Sequence, residues 1–193
     1  MKKNVNMSNI NDVIKNLIES NISKNEWYVE PFANDCSVLS TIRHSKKIAC
    51  DRDKHIIKMW RCIQNAKLNG MNDKDFKSYY FNKVNGLPLK DILFFGTSMN
   101  VGMSQIENFK DLNNTIFINR CYRKLIFTEK SFIYCSIFHD DTREFWDWCR
   151  NVVKKNHKVM VSSFSAPKDF ICVYEDCGEG VYIHESQIPF FNF

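Results

Sequence analysis

The sequence predicts an α/β domain with a mostly parallel sheet, on two observations. Short apolar runs rich in β-forming residues alternate along the chain with segments whose apolar residues recur at helical spacing, and this alternation is typical of βαβ units. The chain has 193 residues, of which 44% are hydrophobic and 14% aromatic, which suits a packed core. We therefore expect a single domain over residues 1–193.

Strands are predicted where apolar, β-branched or aromatic residues follow one another between polar turns. The predicted strands are residues 27–29, 47–50, 131–135, 157–162, 170–174 and 180–184. Glu30 closes the first strand, and Asp51 stands at the carboxyl end of the second. Residues 92–101 and 109–125 have mixed patterns that favour no single assignment.

Helices are predicted where apolar residues return every three or four positions. The predicted helices are residues 9–20, a segment that starts after Asp53 and ends at Asn69-Gly70, residues 72–81, and residues 142–155. Asp53 is the expected N-cap of the second helix, since a side-chain oxygen there can accept a free backbone N–H. Residues 36–42 are expected to be a short helical or mixed segment.

Composition excludes several classes of protein. No apolar run approaches the roughly 20 residues of a membrane span, and the polar start Met1-Lys2-Lys3-Asn4 is unlike a signal peptide. The eight cysteines include no C-x-x-C pair, which argues against a zinc site. Several, such as Cys135 and Cys172, lie in apolar runs and are expected to be reduced, buried thiols. We expect an intracellular protein without a metal site.

The net charge of +5 permits a polyanionic partner without requiring one. Basic residues are concentrated between residues 43 and 61. They form either the solvated face of a helix and a strand rim or a surface that contacts phosphates. The candidate nucleic-acid-binding residues are Arg43, Lys46, Lys47, Arg52, Lys54 and Lys58.

An acidic residue about 20 positions after the first βα turn is where nucleotide-binding folds hold a ribose. Asp51 has that position relative to the turn that follows Glu30. Such a turn needs glycine, because backbone must pass close to the ligand, but Asn34-Asp35-Cys36 occupies it. The alternative is structural: Glu30 caps the next segment and Asp51 satisfies backbone amides.

Five motifs carry a resemblance to a known family. They are Y-V-E-P-F-A at residues 28–33, I-A-C-D at 48–51, F-I-Y-C at 132–135, E-F-W-D-W-C-R at 144–150 and V-S-S-F-S-A-P-K-D-F at 161–170. In this order they resemble the Dam-type (D12 class) DNA adenine-N6 methyltransferases. The resemblance runs from residue 27 to about residue 175. It implies a Rossmann-like S-adenosylmethionine-dependent methyltransferase fold, with a reduced target-recognition-like insertion at about residues 83–125.

The chain departs from the family where the family binds its cofactor. Residues 4–8 replace the family's Y-x-G-G-K, and Asn34-Asp35-Cys36 replaces its G-G-G. The resemblance therefore implies a chain that binds no cofactor and keeps only a vestigial cofactor site. The vestigial cofactor residues are Glu30, Phe32 and Asp51.

The family's catalytic D-P-P-Y is also replaced, by Ser136, Ile137, Phe138 and His139. In the family, the aspartate and a proline carbonyl accept hydrogen bonds from the target amino group, and the tyrosine stacks on the flipped adenine. Ser136 is neutral and short, and Ile137 removes the rigid turn. The resemblance thus implies no catalytic residues. We expect Ile137 or Phe138 to be packed against the sheet or covered by a partner. His139-Asp140-Asp141 is expected to cap the following helix rather than to bind a metal.

The leading hypothesis is a catalytically inactive methyltransferase-like protein that serves as a DNA-binding, structural or partner-binding module. A protein partner or a second copy of the chain fits this hypothesis, as does the setting of a large DNA virus, in the host cytoplasm or nucleus or in the virion. The alternative is a divergent but active, site-specific DNA adenine-N6 methyltransferase that uses S-adenosylmethionine. A third hypothesis is an interaction protein with no role in nucleic-acid binding.

Overall fold

The computed structural model describes residues 10–68, 112–137 and 142–193. Its strands are β1 (Trp27–Glu30), β2 (Lys47–Asp51), β3 (Thr115–Asn119), β4 (Ser131–Ser136), β5 (Lys158–Ser163), β6 (Phe170–Asp176) and β7 (Glu179–His184). These strands form one sheet in the order β3-β2-β1-β4-β5-β7-β6. The pairs β2–β3, β1–β4 and β4–β5 are parallel, whereas β7 runs antiparallel to β5 and β6. The prediction of an α/β fold with a mostly parallel sheet is confirmed.

Within the same residues the helices are α1 (Ile10–Asn21), α2 (Lys54–Leu68) and α3 (Arg143–Lys154), with short 3-10 helices at Tyr122–Lys124 and Glu185–Phe190. Residues 36–42 form turns without a helix. The predicted helix at residues 72–81, the unassigned segment 92–101 and most of the insertion at about 83–125 lie outside the described residues. No described helix has both the length and the apolarity needed to span a bilayer.

The described residues group into two compact units: one contains those up to Val29 and from Ile126 onward, and the other those from Glu30 to Leu125. In the first unit, α3 begins where predicted, because the Thr142 hydroxyl accepts the Phe145 N–H at 3.3 Å. Its buried face is Phe145, Trp146, Cys149 and Val152. The β6–β7 hairpin turns at Cys177-Gly178, both with positive φ, as a type I′ hairpin turn requires.

In the second unit, α2 is bonded to β3 and the segment before it. The Gln64 amide donates to the carbonyl oxygens of Leu112 at 2.7 Å and Thr115 at 2.9 Å. The Arg61 guanidinium donates twice to the Phe117 carbonyl oxygen. Because these bonds satisfy β3 carbonyls from the helix side, they fix the outermost strand of the sheet order against α2.

None of the eight cysteines, all of which are described, forms a disulfide. Cys36, Cys50, Cys135 and Cys149 are buried as expected. The prediction of a buried thiol at Cys172 is wrong, because β6 ends the sheet order and exposes several side chains along its length. Apolar neighbours in sequence therefore did not indicate burial at the end of the sheet.

Candidate functional site

The candidate site lies where β2 ends, beside the turn that follows β1. Asp51, the last residue of β2, is 7% exposed. Its Oδ1 accepts the Asp53 N–H at 2.8 Å, and its Oδ2 accepts the Asn34 N–H at 3.3 Å. The Ala33 N–H donates to the Cys50 carbonyl oxygen at 2.8 Å. Asp51 thus ties the turn to the strand end, as the structural role expected for it requires.

The backbone of the turn keeps a conformation that glycine favours. Asn34 has φ 40° and Cys36 has φ 52°, both in the left-handed region that only asparagine, aspartate and glycine visit routinely. The Trp60 indole N–H donates to the Asn34 carbonyl oxygen at 2.8 Å. Asn34 and Asp35 are exposed, whereas Cys36 is buried. The turn therefore has the path of a glycine-containing turn, with two side chains on its solvent side.

The buried groups around the turn favour neutral thiols. Burial raises the pKa of Cys36 well above its ordinary value, and the nearby carboxylates of Glu30, Asp35 and Asp51 raise it further. Burial also raises the pKa of Cys50 to about 12. A thiol rather than a thiolate is a poor nucleophile and metal ligand. Neither cysteine is therefore suited to covalent chemistry at this site.

Burial also raises the pKa of Asp51, against the lowering effect of the two backbone N–H bonds that its carboxylate accepts. Glu30 is likewise buried. Phe32 is half-buried, with its ring centroid 5.3 Å from that of Tyr122. The three predicted vestigial residues thus all belong to the unit from Glu30 to Leu125, but Asp51 already uses both carboxylate oxygens in backbone hydrogen bonds.

The prediction that Lys47 contacts nucleic acid is wrong. Its side chain is 0% exposed, and its Nζ donates to the carbonyl oxygens of Ile42 at 3.1 Å and Leu39 at 3.5 Å. An ammonium that is buried and bonded to carbonyls cannot reach a phosphate. Lys47 instead stabilises the segment that connects β1 and β2, through its bonds to the carbonyl oxygens of that segment.

The other predicted basic residues lie nearer the surface. Lys46 is half-buried, and the remaining four are exposed: Arg43, Arg52, Lys54 and Lys58. Lys54 and Lys58 lie one helical turn apart at the start of α2. The cap predicted for α2 is confirmed, since Asp53 Oδ1 accepts the His55 N–H at 2.7 Å.

Three further basic residues were missed by sequence reasoning: Arg120, Arg123 and Lys124, all exposed. The parallel register places Asp51 opposite Asn119, so Arg52 and Arg120 follow paired residues at the same edge of the sheet. A basic run is visible at residues 120–124. Linking it to Arg52 required knowledge of β3, which the mixed pattern of residues 109–125 did not provide.

The segment that replaces the catalytic motif begins at the end of β4. Ser136 is half-buried and pairs with Ser162 of β5. Ile137 is 3% exposed, and its N–H donates to the Ser162 carbonyl oxygen at 3.0 Å. Ile137 is thus packed, as expected. Phe138 and His139 lie outside the described residues, as do the acidic residues that follow them.

Among the described residues, no group of three or more His, Cys, Asp or Glu side chains is arranged to hold a metal ion. Comparison with protein-family models and with curated proteins gave no match to the chain. The resemblance to DNA adenine-N6 methyltransferases therefore rests on the motifs of the sequence and stays a prediction.

Proposed function

We propose that the protein is a Rossmann-like, methyltransferase-type scaffold that has lost S-adenosylmethionine binding and catalysis and serves as a DNA-binding module. The observation that carries this proposal is the turn at residues 34–36. Its backbone follows the left-handed path that glycine favours, while exposed Asn34 and Asp35 occupy its solvent side. In the family the proposal invokes, the amino-acid end of the cofactor sits against bare backbone at this turn.

Charge at the turn adds to this argument. Asp35 is exposed, and its Oδ1 accepts the Ser37 N–H at 3.1 Å, which holds its carboxylate at the turn. A carboxylate there repels the carboxylate of an incoming S-adenosylmethionine. Together with the neutral Ser136 and the packed Ile137, this turn supports a scaffold without turnover, since loss of one positioned transition-state contact costs about 10²–10³ in rate.

Exposed basic side chains support the DNA-binding half of the proposal. Arg43, Arg52, Lys54 and Lys58 are exposed and belong to the same compact unit. Contacts from such residues to phosphates give binding that does not depend on sequence and weakens as salt rises. The net charge of +5 favours the same partner.

Calorimetry with S-adenosylmethionine tests the loss of the cofactor, and anisotropy with a labelled random duplex tests DNA binding. We expect no saturable heat at millimolar cofactor and a duplex affinity that falls as salt rises. A saturable heat would overturn the first half, and an affinity that does not change with salt would overturn the second. Replacing residues 136–139 by Asp-Pro-Pro-Tyr should not restore methyl transfer, because the turn at residues 34–36 is unchanged.

A divergent active methyltransferase is the second candidate function. It is favoured by the left-handed φ at Asn34 and Cys36 and by Asp51 at the end of β2, where open α/β sheets bind ligands at strand carboxyl ends. A methyl-transfer assay on adenine-containing duplex separates the two candidates. Incorporation of labelled methyl groups by the unaltered chain would establish the second.

A further inference from the structure

From the edge of the sheet where β2 and β3 end, we infer a binding surface for the phosphodiester backbone of double-stranded nucleic acid. This inference rests on the proposed DNA-binding function and gives it a location. We call the surface the strand-end surface; its residues are Arg52, Lys54, Arg120, Arg123 and Lys124, all exposed.

Backbone hydrogen bonds bring the two basic segments together. The Arg120 N–H donates to the Asp51 carbonyl oxygen at 2.9 Å. The Asn119 side-chain amide donates to the carbonyl oxygens of Asp51 at 2.9 Å and Arg52 at 3.1 Å. Because one main-chain bond and two bonds from the Asn119 side chain fix the junction, the basic residues after β2 and after β3 are held at neighbouring positions before any ligand binds.

The buried ring of Tyr122 holds the 3-10 helix Tyr122–Lys124 in place. Tyr122 is buried and contacts the Phe32 ring, while the Arg123 guanidinium lies 5.4 Å from the Tyr122 ring centroid. The Arg123 Nε also donates to the Tyr122 hydroxyl at 3.3 Å, and both Arg123 and Lys124 remain exposed. The buried ring thus orders a turn that presents two cations to solvent.

The acidic residues at this edge do not cancel its charge. Asp51 is buried, with both carboxylate oxygens bonded to backbone N–H groups. Asp53 is exposed and keeps its negative charge while its Oδ1 caps α2 by accepting the His55 N–H. The five cations outnumber these two carboxylates and that of exposed Asp35 in the neighbouring turn, so the strand-end surface keeps an excess of positive charge. Its arginines have planar guanidinium groups that suit phosphate oxygens.

The shortage of exposed aromatic rings at the described part of the surface favours a duplex over a single strand as its ligand. Binding of single strands relies on exposed aromatic rings on which bases stack, whereas Tyr122, which lies next to Arg123, is buried and Phe32 is half-buried. Among the residues that the structure describes, the surface offers cations without such rings. It therefore fits a duplex, whose bases are already stacked and whose phosphates face outward.

Two matched double variants test the location. Arg120→Gln with Lys124→Gln removes two exposed charges from the strand-end surface, and Lys154→Gln with Lys155→Gln removes two exposed charges at the end of α3. Binding to labelled random DNA and RNA duplexes is measured between about 50 and 200 mM salt. If both residues of the first variant contact phosphates, its log–log salt slope falls by about 1.8, and its affinity at about 0.1 M salt falls by up to about 60-fold.

The control variant should keep the slope of the unaltered chain. Equal loss in both variants, or no change in the first, would overturn the strand-end surface while leaving the proposed DNA binding in place. Binding to the RNA duplex alone would support the surface and overturn DNA as its partner, whereas absence of binding to either duplex would overturn both proposals. Lys124→Gln alone, with an expected slope change of about 0.9, replaces the double variant should that variant fail to fold.

Discussion

Arg150 of α3 holds Asp169, which precedes β6, through two parallel hydrogen bonds. Arg150 Nε and Nη2 donate to the two carboxylate oxygens at 2.6 Å and 2.7 Å. His184 Nε2 lies 3.4 Å from Asp169 Oδ2, and the Asp169 carbonyl oxygen accepts the Glu185 N–H at 2.8 Å. One carboxylate therefore links the helix, the start of β6 and the end of β7.

Replacing Arg150 by lysine should destabilise the fold by about 1–2 kcal/mol, because lysine cannot make both bonds to Asp169. The matched control is Arg143→Lys, since the Arg143 side chain is 95% exposed and lies 3.8 Å from Asp147. The control should change stability by less than about 0.5 kcal/mol. Urea unfolding of both variants measures the difference, and equal losses would contradict the importance of the paired bonds.

The Arg150–Asp169 pair also predicts that the stability of the fold depends on pH. The hydrogen bonds from Arg150 lower the pKa of Asp169 below its ordinary value of 3.8. Because the folded state holds the charged form, this stabilisation is complete above the ordinary pKa and is lost as pH falls through the lowered one. Replacing Asp169 by asparagine should flatten the acid limb of the stability curve. A limb as steep as that of the unaltered chain would contradict this assignment.

His157 predicts a second loss of stability, near pH 6. The ring is buried, lies 5.1 Å from the Phe127 ring and leaves Nδ1 without a hydrogen-bond partner within the described residues. Burial, then the charge of Lys155, lowers its pKa below the ordinary 6.5. As pH falls through 6.5, the unfolded chain takes up a proton first, so stability falls by at most about 1.4 kcal/mol per pH unit.

The variant His157→Phe removes this titration and places an apolar ring against Phe127. Its unfolding free energy should be equal to or above that of the unaltered chain at pH 6, where the two stability curves separate. Thermal unfolding from pH 8 to 5 measures both curves. Parallel curves over that range would show that His157 takes up its proton equally in both states.

Asp51 offers a test of the turn itself. Asp51→Asn replaces one of its two acceptor oxygens by an NH₂ group, so either the Asn34 or the Asp53 N–H loses its acceptor. We expect a loss of about 1–3 kcal/mol, as for a buried donor left unpaired. Asp53→Asn is the control, because asparagine caps helices as well as aspartate does. Similar losses in the two variants, measured by urea unfolding, would contradict the tie between turn and strand.

The strands β1, β2, β4 and β5 were predictable because their residues are buried almost continuously, which leaves an unbroken apolar run in the sequence. β3 was missed, because exposed Ile116 and exposed Asn119 interrupt its buried positions and the flanking residues are polar. The sequence therefore did not predict the strand-end surface, although its charge pattern indicated two of the five residues, Arg52 and Lys54.

Lys47 shows the limit of reasoning from residue type. Lysine is almost never fully buried, so a lysine beside Lys46 in a basic segment was predicted to face a ligand. Its burial depends on the carbonyl oxygens of Leu39 and Ile42, which only the fold of residues 31–46 brings to one place. The positive φ at Cys36 could not be predicted either, since cysteine rarely adopts it.

Variants of Lys47 and Lys54 should therefore affect different properties: the first should change the stability of the fold, and the second should change duplex binding. Lys47→Met keeps the buried stem but removes the ammonium, so the Ile42 carbonyl oxygen loses this donor and the surroundings of buried Cys36 lose a positive charge. We expect a loss of about 2–4 kcal/mol in unfolding free energy. Because the Lys47 side chain is 0% exposed, the salt slope of duplex binding should not change wherever the variant is folded.

Lys54→Met should leave the stability of the fold unchanged but reduce the salt slope of duplex binding. Lys54 is exposed at the first turn of α2, where a positive charge opposes the helix dipole, so its removal should leave stability within about 0.5 kcal/mol or raise it slightly. As part of the strand-end surface it should contribute about 0.9 to the log–log salt slope of duplex binding. Urea unfolding and anisotropy on both variants measure the two quantities. A reduced slope in Lys47→Met at full folding would place that ammonium at the ligand and overturn its structural role.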